Sequence, residues 1–246
     1  MPPRVLILGG TGEARRLAAE LLEAGFVPLT SLAGVTSAPA LPAGAIRSGG
    51  FGGARGLAAF LQAERFAAIV DASHPFAARI SQHAAIAAST AAVPLLRLER
   101  NPWLPQAGDR WIRVPDAPAA AAALPVGARA LVTIGRKEIA SFFDRGDVSG
   151  IARMIETPAC AVPENWMLLL QRPPYLLEAE AALMAGHRIS HLVTKNAGGH
   201  ETEAKLTAAR QARIPVIMVE RPVKPGVPTF STSGELIAVL RGMLSP

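Results

Sequence analysis

Short apolar runs alternate with helix-forming stretches along almost the whole chain, and this alternation constrains the fold more than any other feature. RVLIL at Arg4–Leu8 is too short for a helix and reads as a buried strand. GGTGEARRLAAELLEAG follows, with Leu17, Leu21 and Leu22 at helical spacing and Gly25 suited to a C-terminal cap. The next elements are a strand at Phe26–Leu32, a short strand at Ala45–Ser48 inside a glycine- and proline-rich loop over Ala33–Gly53, and a helix at Ala54–Glu64. A strand at Ala67–Ala72, a helix from Pro75 to Ala92 and a strand at Pro94–Glu99 come next. Such a rhythm implies a parallel sheet with helices on both faces.

The rhythm breaks over Asn101–Val126, which holds five prolines and the run AAAAAL, and then resumes. Strands are expected at Ala130–Ile134, Ile151–Ile155, Met167–Leu170, Ser190–Thr194 and Pro215–Val219. Helices are expected at Lys137–Phe143, Tyr175–Ala185, Glu201–Ala212 and Gly234–Met243. The expectation is therefore an α/β protein of two Rossmann-like domains, residues 1–126 and 127–246, with mostly parallel sheets and an interdomain cleft. A chain of 246 residues suits two domains of about 120.

Half of the residues are hydrophobic, which supplies a sizeable core. No apolar stretch is long enough to span a bilayer, and MPPRVLILGG lacks the long apolar core and cleavage site of a signal peptide, so a cytoplasmic location without a membrane partner is expected. Cys160 is the only cysteine, which excludes an intrachain disulfide and a cysteine-based zinc site; packing is its expected role. The net charge of +6 comes from 21 Arg and four Lys against 19 acids. These arginines are scattered, and aromatic residues make up only 5% of the chain, so a nucleic-acid partner is disfavoured and small anionic ligands fit better. The oligomeric state is left open, and a monomer is compatible with the residues.

Four strand-to-helix joins are unusually polar or glycine-rich: GGTGE (Gly9–Glu13), DASHPF (Asp71–Phe76), IGRKE (Ile134–Glu138) and TKNAGG (Thr194–Gly199). Ligands in doubly wound folds sit beyond the carboxyl ends of the strands, where all four fall. Gly9, Gly10 and Gly12 let backbone approach a phosphate at a helix start, although the third glycine of the usual dinucleotide signature is missing and a plain tight turn is the alternative. Glu13 would repel a phosphate, and could instead cap backbone N–H groups or meet a ribose or amide. PLTSLAG ends the second strand without the acid that holds an NAD ribose; Ser31 with Arg47 or Arg55 would accept a 2′-phosphate, which points to NADP.

Lys195, Asn196, Gly198 and Gly199 form a candidate anion cradle, with a glycine turn beside a solvated lysine as the alternative. Arg136 and Lys137 at an expected helix start are unfavourable unless an anion compensates them; solvated surface charge is the alternative. In DASHPF, Pro75 suits the first helical turn, Ser73 or His74 can supply its cap, and Asp71 reads as an internal hydrogen-bond acceptor. No nucleophile elbow, metal-ligand cluster or metal site is evident. His83, His187 and His191 read as structural histidines, and His200 is a weaker candidate than His74. So thin an acid–base inventory suits a protein whose cofactor carries the hard step.

Taken together, GGTGE, DASHPFA, IGRKE and TKNAGG, in this order and across essentially the whole chain, resemble the precorrin-6A reductases of cobalamin biosynthesis. Ala197 stands where that family often has Ser. The resemblance implies an NADPH-dependent reduction of one C=C bond of precorrin-6A, a polycarboxylate tetrapyrrole, to give precorrin-6B. It further implies that Gly9, Gly10, Thr11, Gly12 and Glu13 hold the cofactor with Ser31, while Ser73, His74 and Phe76 line its nicotinamide side. Arg136, Lys137, Lys195 and Asn196 would meet substrate carboxylates or the cofactor from across the cleft, with Gly198 and Gly199 on the substrate side. The proton donor is Lys195, His74 or a water, with the water first. The rival readings are an NADP-binding sensor without turnover, a reductase of another anionic substrate, and a basic RNA-binding protein.

Overall fold

The computed structural model describes residues 2–33 and 41–244. Part of the connection expected over Ala33–Gly53, residues 34–40, lies outside them. The chain divides into two units, one made of Met1–Asn101 with Pro222–Pro246 and the other of Pro102–Arg221.

The first unit begins β1 (Arg4–Leu8), α1 (Gly12–Glu23), β2 (Val27–Leu32), β3 (Ala45–Ser48), α2 (Ala54–Ala63), β4 (Ala68–Asp71), α3 (Ala78–Ala91) and β5 (Leu95–Leu98). Residue alternation along β1 explains why VLIL, residues 5–8, is apolar throughout. Val5 and Ile7 pack with Leu17 and Leu21 of α1, whereas Leu6 and Leu8 pack with Leu57 and Leu61 of α2 and Ala84 and Ala87 of α3. A strand covered on both faces has no solvent side on which to place polar residues.

The second unit runs β6 (Trp111–Val114), α4 (Ala117–Ala122), β7 (Arg129–Val132), α5 (Ala140–Phe143), β8 (Ser149–Met154) and β9 (Trp166–Leu170). It continues with α6 (Leu177–Gly186), β10 (His191–Lys195), α7 (Ala204–Gln211) and β11 (Val216–Val219). Leu131, Ile151, Leu192, Val216 and Met218 of its sheet pack with Met184 of α6 and Leu206 and Ala209 of α7. Arg153 of β8 and Glu180 of α6, both buried, form a two-bond ion pair that fastens helix to sheet. The chain then returns to the first unit with β12 (Thr229–Phe230) and α8 (Ser233–Leu244), whose Leu236 and Leu240 complete the core beside α1.

Each unit holds a six-stranded sheet, ordered β3-β2-β1-β4-β5-β12 and β9-β8-β7-β10-β11-β6. Every strand pairing is parallel. The two orders correspond strand for strand, except that the sixth place is filled in the first sheet from the end of the chain and in the second from just before β7. The boundary expected at residue 126 therefore lies at 101/102, because β6 pairs with β11, and 222–246 belongs with the first unit, because β12 pairs with β5. Cys160, expected to pack, is exposed in the connection between β8 and β9.

Gly150 shows how closely β8 approaches β7. It has a φ of +153°, and a Cβ there would lie 1.9 Å from the Ala130 carbonyl oxygen. Gly150→Ala should lower the stability of the second unit by at least about 2 kcal/mol, since the obstructing atom is backbone in the neighbouring strand. All three tryptophans lie within residues 102–221, so the loss is readable as a shift of the tryptophan-fluorescence denaturation midpoint. An unchanged midpoint would contradict the packing described.

Candidate active site

The strand order changes direction between β1 and β4 in the first sheet and between β7 and β10 in the second. At such a switch point adjacent loops diverge and leave a crevice at the carboxyl edge. GGTGE leaves β1 and DASHPF leaves β4; IGRKE leaves β7 and TKNAGG leaves β10. The four motifs are thus two pairs, each at the switch point of its own unit.

In the first unit, Gly10 has a φ of +112°, and a Cβ on Gly9 would lie 2.7 Å from Cγ2 of the buried Thr30. Positions 9 and 10 are therefore restricted to glycine for reasons of space and conformation respectively, and the bare backbone there fits the phosphate of a dinucleotide. Thr11 caps α1: its hydroxyl accepts the Ala14 N–H at 3.0 Å and donates to the Ala72 carbonyl at 2.9 Å, joining the two loops. Glu13 pairs with Arg100 at 3.0 Å and Arg16 at 3.6 Å, and its carboxylate also accepts a local backbone N–H. Burial works to raise its pKa, but Arg100, with help from Arg16 and its local hydrogen bonds, holds the carboxyl below the usual range. These arginines offset the repulsion that made Glu13 awkward beside a phosphate.

At the end of β2, register places Ser31 opposite Arg47 of β3. Arg47 Nη1 donates to Ser31 Oγ at 2.8 Å and to the Gly49 carbonyl at 3.0 Å, while Nη2 donates to the Gly50 carbonyl at 3.1 Å. Its guanidinium lies 3.9 Å from the Phe51 ring centroid. Burial lowers the Arg47 pKa, from a value so high that the group stays charged. Of the two arginines proposed for this position, Arg47 is the one brought to Ser31; Arg55 is exposed on α2.

DASHPF is a hydrogen-bonded turn and not the start of α3. Asp71 is buried, and its Oδ1 accepts the Ser73 hydroxyl at 2.6 Å and the Ser73 N–H at 3.2 Å. Its Oδ2 accepts the Ser81 hydroxyl at 2.6 Å and Arg97 Nε at 3.3 Å. Burial pushes this carboxyl up, and the Ser73 and Ser81 hydroxyls, with the Lys224 charge and the Ser73 N–H, more than reverse it. The expected internal acceptor is thus a hub. Pro75, expected in the first helical turn, precedes the helix by one turn; α3 starts at Ala78, and its cap position, Ala77, has no side-chain cap. The Ser73 hydroxyl is engaged by Asp71, and His74 Nδ1 accepts the Phe76 N–H at 3.2 Å, so neither caps α3. His74 is exposed, with its ring 5.9 Å from that of Phe76.

In the second unit, IGRKE is also a turn rather than a helix start, because α5 spans only Ala140–Phe143. The inference that an anion must compensate Arg136 and Lys137 at a helix N-terminus therefore lapses: Arg136 pairs with Glu156 at 3.0 Å, and Lys137 is exposed. Lys195, at the end of β10, pairs with Glu138 of the IGRKE turn. Asn196 is buried and holds the backbone of Trp103, accepting its N–H at 2.9 Å and donating to its carbonyl at 3.3 Å. Its amide thus anchors the segment entering this unit, a role the sequence did not suggest. Trp103 Nε1 donates to the Gly199 carbonyl at 3.2 Å, and Arg221 donates to the carbonyls of Asn196 and Ala197 at 2.8 and 3.0 Å. Gly198 and Gly199, with φ of +70° and +86°, complete a loop whose carbonyls are tied down. His187 and His191 sit at the opposite, amino edge of this sheet, consistent with a structural role.

Residues 4–241 match the family model described as "Precorrin-6x reductase CbiJ/CobK". The chain is 49% identical over 224 residues to a precorrin-6A reductase of Rhodococcus erythropolis, covering 90% of each. It is 40% identical over 243 residues to one of Rhodobacter capsulatus, covering 98% of this chain and 94% of that one. The fold matches the solved structure titled "CobK precorrin-6A reductase" with a TM-score of 0.92 at 39% identity, over 98% of this chain and 97% of that one. This is a family of reductases acting with a nicotinamide cofactor, so the sensor and RNA-binding readings are not favoured. The chain belongs to the CbiJ/CobK precorrin-6x reductase family.

Proposed function

We propose that this chain reduces metal-free precorrin-6A to precorrin-6B, with NADPH as the hydride donor. The reduction adds a hydride from the nicotinamide and then a proton across one C=C bond of the macrocycle. The Gly9–Gly12 turn with Thr11 holds the pyrophosphate, Ser31 and Arg47 take the adenosine 2′-phosphate, and Ser73, His74 and Phe76 line the nicotinamide side. In the second unit Arg136, Lys137, Lys195 and the Gly198–Gly199 backbone meet substrate carboxylates, with Asn196 holding the loop in shape. A water is ranked first as proton donor, before Lys195 and His74.

The observation that carries the choice of cofactor is the end of β2, where a fixed arginine stands in place of the acid that would hold an unphosphorylated ribose. No described helix is long and apolar enough to cross a membrane. The test is to mix the protein with precorrin-6A and NADPH or NADH, following 340 nm absorbance and the macrocycle spectrum. NADPH should be consumed with a matching spectral change, and NADH at least ten-fold less efficiently. Equal use of both cofactors would overturn the choice of NADPH, absence of oxidation would overturn the reaction, and faster turnover of the cobalt-containing macrocycle would reassign the substrate.

A further inference from the structure

We propose that Glu138 is a positioning residue for substrate recognition, holding the Lys195 ammonium at the switch point of the second unit; this rests on the reading of Lys195 as a carboxylate-binding residue. The pair joins the two loops that diverge there, Glu138 from the turn after β7 and Lys195 from the end of β10. The Lys195 side chain is 16% exposed and that of Glu138 is 42% exposed, so the lysine is the more buried partner of the pair. The backbone beneath Lys195 is fixed as well. The Lys195 carbonyl accepts the Ala197 N–H at 2.7 Å, and the next residue donates its N–H to the Val219 carbonyl at 2.8 Å.

A lysine carries its charge on a flexible four-carbon stem, and ordering that stem costs rotamer entropy. Glu138 imposes the order before substrate arrives, so less is lost when a carboxylate binds. Half-exposed ion pairs are weak, so the competition that Glu138 offers to an incoming carboxylate is small beside this preorganisation. The consequence is an effect on binding much larger than that on the chemical step.

The test is a double-mutant cycle on full-length enzyme, reading KM for the tetrapyrrole, kcat, and the macrocycle dissociation constant from an absorbance titration. Glu138→Ala and Glu138→Gln should each raise KM and the dissociation constant three- to ten-fold with kcat within two-fold, and Glu138→Asp should recover at least half of the loss. In a Lys195→Ala background, Glu138→Ala should change neither constant by more than 1.5-fold. The same loss in both backgrounds would assign Glu138 to another partner, and tighter binding on its removal would make it a competitor; either result overturns the proposal. Lys195→Ala with wild-type constants would remove Lys195 from the site and this inference with it, while leaving reduction of precorrin-6A standing. Thermal midpoints of the variants identify any loss of fold, and Glu138→Gln, which keeps the shape of the side chain, then decides.

Discussion

Arg47→Glu is expected to lower kcat/KM for NADPH by two to three orders of magnitude while changing that for NADH less than five-fold. The guanidinium is held by Ser31 Oγ and by the carbonyls of Gly49 and Gly50, and it lies against Phe51. All of these partners are uncharged, so its positive charge is not neutralised by the contacts that fix it. A 2′-phosphate carries between one and two negative charges at neutral pH, and a charge-assisted bond to a fixed guanidinium is the strong kind. Reversing the sign removes that bond and adds repulsion, together about 3–4 kcal/mol, which converts to the stated factor. NADH presents an uncharged 2′-hydroxyl at this position, which a carboxylate can accept as a hydrogen-bond donor, so its use should change little and not fall as that of NADPH does.

Three variants make the comparison decisive. Arg47→Ala should show roughly the square root of the Arg47→Glu effect, since it removes attraction without adding repulsion. Ser31→Ala should show a smaller loss still, because Ser31 supports the arginine by one hydrogen bond. Arg55→Glu, at an exposed position on α2, should leave the preference within three-fold. Should Arg55→Glu carry the large effect instead, the phosphate lies over α2 and Arg47 only braces the loop.

How much of this was legible in the sequence depended on whether the deciding contacts were local. The central strands were readable because both faces of each are buried, which leaves an uninterrupted apolar run such as VLIL or AAIV. β6 and β12 were not: Ile112 and Arg113 are exposed, so β6 lacks an apolar run, and β12 is only two residues long. Their partners lie more than 100 residues away, in β11 and β5, and no local pattern encodes such a pairing. The misplaced domain boundary follows from those two strands alone.

The site was legible at the level of loops and less so at the level of roles. Glycines and a clustered set of polar residues marked all four switch-point loops correctly, since backbone conformation is written in residue type. Side-chain partnerships were not written there. Asn196, offered as a carboxylate contact, is engaged by the backbone of Trp103, 93 positions away. Nothing in IGRKE itself gives Glu138 a role, because its partner, Lys195, comes from a different strand. Arg136 and Lys137 were given an electrostatic rationale that needed a longer helix than α5.

Asp71→Asn should lower the unfolding free energy of the first unit by about 3–5 kcal/mol at neutral pH, because it strands a buried charge. Arg97 is 6% exposed, cannot lose its proton, and has Asp71 as its carboxylate partner at 3.3 Å. Arg97 Nη1 also donates to the Pro225 carbonyl at 3.1 Å, through which the returning chain is fastened beside β5. The Asn amide keeps the size of the carboxylate but turns one acceptor oxygen into a donor facing a guanidinium. The pH dependence has a definite sign. The folded-state pKa of Asp71 lies below its unfolded value, so its contribution is fully present above the unfolded pKa and is lost as pH falls through the folded one. Wild-type stability should therefore fall below about pH 4, and the variant should lack that part of the decline. Far-UV circular dichroism across a urea series, repeated from pH 7 down to pH 2, reads both effects. Tryptophan fluorescence reports only on residues 102–221 and should shift far less, which separates a local loss from a general one. A variant within 1 kcal/mol of wild type, or one that keeps the full acid decline, would mean that the hydroxyls of Ser73 and Ser81 hold this junction without the charge.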